Sequence, residues 1–325
     1  MAELRWAPPR RDDDPEWAAL LAAIEAEDRR GETFELADLA DEWASVWSQP
    51  DTNARFVWDG PELVGFVWLG VRPGQREAHK VSQWGGVRPS RRREGIGSAL
   101  FEWAVRRTSE LGGDLDPGLP VHLQIDASRH QADLVAVATR AGYQPVRSFL
   151  EIARPVAEPV PVLPAPAELE LVPWSPDLDE EARLAHVESF ADHWGSEPRT
   201  REEWRQWYTG HRAFRPDLSL LAVDPGTGQV ASLVLCAAYP QDWVQTPVEV
   251  WVNTVGTRRA WRGRGVARWA LAEALRRAAA ARDGFERAIL GVDAENPTGA
   301  LRLYRDLGFA DEVRRVTTFQ LAVRS

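Results

Sequence analysis

Sulfur is almost absent from this 325-residue chain, which has one cysteine, Cys236, and one methionine. A lone thiol closes no intrachain disulfide and builds no cysteine-based zinc cluster, so packing alone must hold the fold, and no metal site is expected. Lysine is as scarce: Lys80 is the only one, and arginine supplies the other basic residues, a bias that GC-rich coding produces. Positive charge is in deficit, 39 basic against 49 acidic residues for a net charge of −10. That balance excludes nonspecific attraction to nucleic acid or to an anionic membrane. No run approaches the roughly 18 consecutive apolar residues of a membrane span, and the N-terminal residues turn polar at once instead of opening an apolar signal core. The expectation is a cytoplasmic protein, monomer or homodimer, with no nucleic-acid or membrane partner, in which any anion is held by a local site.

What is present is ample core-forming material, 44% hydrophobic and 27% charged residues. The length suits two cores of about 150 residues each. Residues 154–168 (RPVAEPVPVLPAPAE) carry five prolines, which remove backbone donors and favour extended chain, so they read as a semi-rigid linker. The expected domains are 1–156 and 157–325. Internal similarity supports the division: Arg92-Arg93-Glu94-Gly95-Ile96-Gly97 and Arg262-Gly263-Arg264-Gly265-Val266-Ala267 each introduce an alanine-rich helical pattern. In the first half, helical patterns at 15–30 and 36–47 precede a hairpin with its turn at Asp59-Gly60-Pro61-Glu62. In the second, 178–194 and 202–211 read as helices, and strands at 219–223 and 230–238 flank Asp224-Pro225-Gly226-Thr227-Gly228. Each half then continues strand, glycine motif, helix, short strand, helix, final strand, which makes a mixed α/β sheet. Sixteen tryptophans supply core and cleft walls.

The glycine motifs carry the chemistry. Gly263 and Gly265 let backbone approach a ligand closely, and a helix starting there presents free N–H groups and the positive end of its dipole to an anion such as pyrophosphate. The pattern is neither G-x-G-x-x-G nor a Gly-Lys-Ser/Thr loop. Downstream stand Asp293-Ala294-Glu295-Asn296 and the helical Leu303-Tyr304-Arg305-Asp306-Leu307-Gly308-Phe309. Together with Arg262-x-x-Gly265-x-Ala267, this ensemble resembles the Gcn5-related N-acetyltransferase (GNAT) superfamily. The first half resembles it through Arg92-x-x-Gly95-x-Gly97 and Ala141-Gly142-Tyr143.

The resemblance implies two tandem GNAT domains, each a mixed, mostly antiparallel sheet flanked by helices. It implies acetyl-CoA as cosubstrate, its pyrophosphate on the loop Arg262, Gly263, Arg264, Gly265, Val266 and Ala267, and its pantetheine arm between two splayed parallel strands. Direct transfer to an amine calls for a proton acceptor, donors to the oxyanion and a proton for the departing thiolate. Tyr304 stands at the family's acid position, and Glu249, thirteen residues before Arg262, stands where members place a base, with Asp242 a weaker substitute. Asn296 would hold the cofactor arm or cap a helix. Trp194, Trp204, Trp207, Trp243 and Trp251 would wall the side of the second half that receives the acceptor. In the first half, Arg92, Gly95 and Gly97 keep the loop, but the tyrosine's place holds Ala138, an offset of 170 sets His79 opposite Glu249, and Asp126-Ala127-Ser128-Arg129 has no asparagine. The first domain is therefore expected to be non-catalytic. The expected activity is acetyl transfer to a primary amine of a small molecule, with a non-catalytic acyl-CoA sensor or scaffold, or a protein acetyltransferase, as alternatives.

Overall fold

The structure, a computed structural model, describes residues 4–128, 130–295 and 299–324. These form two compact units, Met1–Ser148 with Val316–Ser325, and Phe149–Arg315. The first contains β1 (Arg5–Ala7), α1 (Asp14–Asp28), α2 (Leu36–Ala44), the single turn α3 (Pro50–Asn53), β2 (Ala54–Asp59), β3 (Glu62–Val71), β4 (His79–Val87), α4 (Ile96–Gly112), β5 (Val121–Ser128), α5 (Ala132–Arg140) and the start of β6 (Gln144–Pro155). The second repeats the order with β7 (Glu170–Pro173), α6 (Asp179–Phe190) and α7 (Arg201–Trp204), which widens into a π-turn over Arg205–Thr209. There follow β8 (Leu220–Val223), β9 (Val230–Ala237), β10 (Glu249–Thr257), α8 (Val266–Ala280), β11 (Arg287–Asp293), α9 (Ala300–Asp306) and β12 (Asp311–Arg324).

Local physics accounts for these elements. Gly60, at φ +56°, takes the left-handed turn position between β2 and β3. Every residue of β9 is buried, as its run, apolar but for Ser232, requires of a strand covered on both faces, and the Ser232 hydroxyl donates to Gly256 O at 2.6 Å. Along α8, Val266, Ala270, Leu271, Ala274, Leu275 and Ala278 are all buried, the spacing that gives a helix one apolar face. The core of the first unit gathers its tryptophans: Trp17 stacks on Trp68 at 5.0 Å between ring centroids and meets Phe56, Phe66 and Trp84 at 5.4–5.7 Å.

In each unit the sheet is antiparallel except for one parallel pair, β4 with β5 and β10 with β11. The last strand of each is supplied from the other half of the sequence. Val316–Arg324 of β12 pairs with β5, and Phe149–Pro155 of β6 pairs with β11. The proline-rich stretch thus begins inside a strand: Arg154 is paired with Ala288 and only 1% exposed. Composition conceals this because Pro155, the last residue of β6, sits where a missing donor costs little. The compact units accordingly divide near 148 and 315, where sequence places one cut near 156.

Candidate active site

The parallel strands of the second unit pair only over Glu249–Trp251 and Arg287–Ile289. Beyond that point β10 continues against β9, and β11 continues against β6. The facing edges of Val252–Thr257 and Leu290–Asp293 therefore have no strand partner among the described residues, and they offer backbone donors and acceptors to an extended ligand carrying amides. A bulge at Asn253, between Val252 and Thr254, increases the local twist where the strands part.

At the open end lies the glycine motif. Gly263 and Gly265 have φ of +75° and +79°, and a Cβ at either would meet nothing within 4 Å. Gly265 caps α8 without a side-chain bond, and the first intrahelical bond runs from Trp269 N–H to Gly265 O at 3.0 Å. The amides of Val266, Ala267 and Arg268 precede it and point into this cradle. Val266 is buried below. Arg264 remains about half exposed beside the loop, 5.0 Å over the Trp261 ring.

Arg262 is used differently. Its Nη2 donates to Ser189 O at 2.8 Å, its Nε to Thr257 O at 3.2 Å, and its Nη1 to Asp192 at 3.3 Å. Arg259 also binds Asp192, and these two guanidinium groups hold that carboxyl below the usual carboxylate range. Arg258 reaches Glu188 and Glu181, each at 2.8 Å. The arginines before the glycines thus tie the loop to α6 and to Asp192 just beyond its end, leaving backbone as the ligand surface.

Glu249 opens β10 at the closed end of the gap. It is 4% exposed, and its carboxylate contacts the Arg287 guanidinium in register across the strands. Burial pushes its pKa above the usual range, and Arg287 pulls against that rise. A second ion pair, Glu151 with Arg314 at 2.8 Å, belongs to the same charged neighbourhood. Gly291, paired with Glu151, leaves open space where a side chain would stand. Asp242 sits apart on a 3₁₀ turn at Pro240–Val244.

Tyr304 approaches from the other face. Successive strand residues point to opposite sides, and Tyr304 packs in the cluster of Val250, Val252, Leu290 and Val292, one residue out of phase with Glu249. It is 8% exposed, its ring lies 6.1 Å from that of Phe309, and its hydroxyl makes no hydrogen bond among the described residues. Burial pushes the phenol up to about 12. Asn296 lies outside the described residues.

Above the ends of β9 and β10, α6 places His186 against Phe190, Trp204 and Tyr208 at 4.5, 5.3 and 4.9 Å. Burial drives its imidazole down to about 3, so it is neutral. His193 is half-buried 4.5 Å from Phe190; burial lowers its pKa, and Asp293 at the end of β11 opposes this. Of the tryptophans placed on the acceptor side, Trp204 is instead core at 1% exposure, and Trp243 packs on Phe285 at 5.9 Å. Trp194 stays on the surface, 6.4 Å from Phe149.

The first unit keeps the outline and changes the chemistry. Its strands pair over His79–Ser82 and Val121–Gln124, and β4 runs against β3 without a bulge. Because β10 has one extra residue at Asn253, counting back from the paired arginines sets Glu249 opposite Lys80, not His79. Lys80 stands in register with His122, as Glu249 does with Arg287, so a cation replaces the carboxylate. His79 is buried. Ala138, at the tyrosine's place, is fully buried. Arg92 donates to Asp28 at 2.7 Å, repeating the tie of Arg262 to the preceding helix. Gly95 is left-handed at φ +86°, but the counterpart of Gly263 is Arg93, at φ +68°, and a Cβ added at Gly97 would meet a Val87 methyl at 3.8 Å.

The acetyltransferase (GNAT) family profile matches residues 179–309, the segment from α6 through α9. A mycothiol acetyltransferase from Salinispora arenicola (strain CNS-205) is 31% identical over 69% of this chain and 68% of its own. The chain belongs to the GNAT acetyltransferase family. Another mycothiol acetyltransferase, from Parafrankia sp. (strain EAN1pec), is 29% identical over 77% of both chains. A GCN5-related N-acetyltransferase from Sphaerobacter thermophilus superposes with TM-score 0.75 at 26% identity, covering 100% of this chain and 97% of its own. A tandem GNAT protein from the clavulanic acid biosynthesis pathway superposes at 0.71 over 99% of both chains and, at 19% identity, shows the shared fold. This GNAT acetyltransferase has two features that sequence reading missed, Arg287 as the partner of Glu249 and the half-buried His193 under the influence of the Asp293 charge. Both depend on strand register and loop course, which leave no periodic trace.

Proposed function

We propose that the second unit transfers an acetyl group from acetyl-CoA directly to a primary amine of a small molecule, and that the first unit is non-catalytic. The observation that carries this reading is the parting of β10 and β11 between the Gly263–Gly265 cradle and Glu249, with Tyr304 packed on the opposite face. The cradle fits a pyrophosphate because added Cβ atoms would occupy open space and the amides that open α8 supply its donors. The unpaired strand edges fit the amides of a pantetheine arm. When bound, acetyl-CoA supplies the activated acyl group.

The residues divide the remaining work. Glu249 accepts the amine proton, its pKa raised by burial toward the working range of a general base while Arg287 keeps it ionisable. Tyr304, protonated far above neutral pH, donates to the departing thiolate. The face bearing Glu249, Glu151 and the open Gly291 receives the acceptor. The first unit lacks both groups, with Lys80 and Ala138 in their places.

The test is an amine panel of mycothiol-type amines, aminosugars and aminated antibiotics. Formation of CoA is followed together with the mass of the acetylated product. A gain of one acetyl group on nitrogen is expected for at least one amine. CoA release without any acetylated amine would overturn the reading.

A further inference from the structure

Arg154 is a fully buried guanidinium with a role unconnected to the loops. Desolvating such a charge costs several kcal/mol unless its donors are satisfied. Here backbone carbonyls take them: Nη1 donates to Leu307 O, Nη2 to Glu158 O at 2.6 Å and Nε to Pro155 O at 3.2 Å. Leu307 is the C-terminal cap of α9. The same turn holds Tyr304, whose carbonyl accepts from Leu307 N–H at 3.0 Å and Phe309 N–H at 3.1 Å. The residue beside Arg154 joins in, since Ala310 N–H donates to Ala153 O at 3.2 Å. Two adjacent residues of β6 therefore fasten the turn that ends the tyrosine helix. That helix has seven residues, too few to fix its own course without tertiary contacts.

The other copy supplies a control. Its turn has the same form, with Gly142 at φ +94° against +89° for Gly308, and with Tyr143 N–H donating to Ala138 O at 3.0 Å. There, a Cβ on the turn glycine would meet a Leu321 methyl at 3.4 Å, whereas at Gly308 it would meet a Glu158 carboxylate oxygen at 3.3 Å and the Arg154 guanidinium carbon at 3.5 Å. The guanidinium accompanies the copy with the phenol, and an aliphatic side chain accompanies the copy with alanine.

We infer that Arg154 is a positioning residue that holds the end of α9 so that the Tyr304 phenol stays fixed beside the parting strands. This rests on the reading of Tyr304 as the proton donor. Arg154 acts through the backbone of Leu307, not on a substrate.

The test uses the full chain with ¹³Cζ-labelled tyrosine, which gives four resonances, from Tyr143, Tyr208, Tyr239 and Tyr304. The Tyr304 signal is identified by its loss in Tyr304→Phe. Arg154→Met should shift that signal alone and lower kcat about tenfold with KM for acetyl-CoA unchanged. Arg154→Lys should fall between, because it keeps the charge and reaches fewer carbonyls. Adding Arg154→Met to Tyr304→Phe should cost no further kcat. The inference is overturned if the Tyr304 resonance stays in place, if all four move together, if the losses add in the double variant, or if neither Arg154 variant folds. Full activity of Tyr304→Phe would instead remove the proton-donor reading, and the resonance would still report whether Arg154 fixes the ring.

Discussion

Glu249 and Arg287 face each other on the first rung of the parallel pair, carboxylate against guanidinium. Burial raises the Glu249 pKa, and Arg287 is the largest influence opposing it. Arg287→Met therefore removes the main opposition to desolvation and leaves only the weaker pull of Arg314, so the carboxylate form requires a higher pH. The acidic limb of the kcat/KM profile should move to higher pH. Glu249→Gln should abolish that limb. A limb that stays in place in Arg287→Met would mean that it belongs to another group.

Tyr304→Phe keeps the ring in its cluster and removes only the hydroxyl, which has no partner to lose among the described residues. Stability should change little, and kcat should fall about 100-fold, a typical contribution of one proton-transfer group, with KM for acetyl-CoA unchanged. Steady-state kinetics with the best amine of the panel decides it. A wild-type kcat would send the acid role elsewhere.

For the cradle, Gly265→Glu sets a carboxylate into a space shaped for phosphate and forces a side chain into a left-handed position. Calorimetric titration with acetyl-CoA should show binding by the second unit weakened at least tenfold. Unchanged affinity there would place the pyrophosphate elsewhere.

Much of this was legible in the sequence, and the gaps have physical causes. The helix and strand segments, the duplication and the two glycine loops follow from periodicity and spacing. A constant offset sets His79 at the position equivalent to Glu249, but a bulge adds one residue without a sequence signature, and register identifies Lys80. Arg154 hides in a proline-rich stretch because composition cannot show that its strand completes the second unit. The side-chain bonds of Arg262 to Ser189 and Asp192 depend on loop course and leave no sequence pattern.

The two loops differ in backbone strain. Arg93 holds φ +68° where the second copy has Gly263 at +75°. A left-handed non-glycine residue costs about 1–2 kcal/mol, and a new glycine returns about 0.5–1 kcal/mol of that through unfolded-chain entropy. The ion pair of Arg93 with Asp133 is largely exposed and contributes little. Arg93→Gly should therefore stabilise the protein by about 0.5 kcal/mol, and Gly263→Ala should destabilise it by about 1 kcal/mol with no steric clash. Urea titrations test both signs. Equal effects of the same sign would show that the backbone angles do not govern these loops.

His186 gives the fold an acid-side weakness. Its buried imidazole is neutral, with a pKa near 3 caused first by desolvation, against roughly 6.5 in the unfolded chain. Between those values the unfolded state binds a proton that the folded state refuses, so stability rises with pH and is lost as pH falls from about 6.5 toward 3. At pH 4.5 the loss from this residue should be about 2.5 kcal/mol relative to pH 7. His186→Phe keeps a ring among Phe190, Trp204 and Tyr208 and has no proton to take up. The drop in unfolding free energy between pH 7 and 4.5, measured in urea, should be smaller in the variant by about that amount. Carboxylates such as Glu180, which its arginine partners hold down to about 2, titrate in both proteins and cancel. An equal drop in the two proteins would mean that His186 is protonated in the folded state and finds a partner there.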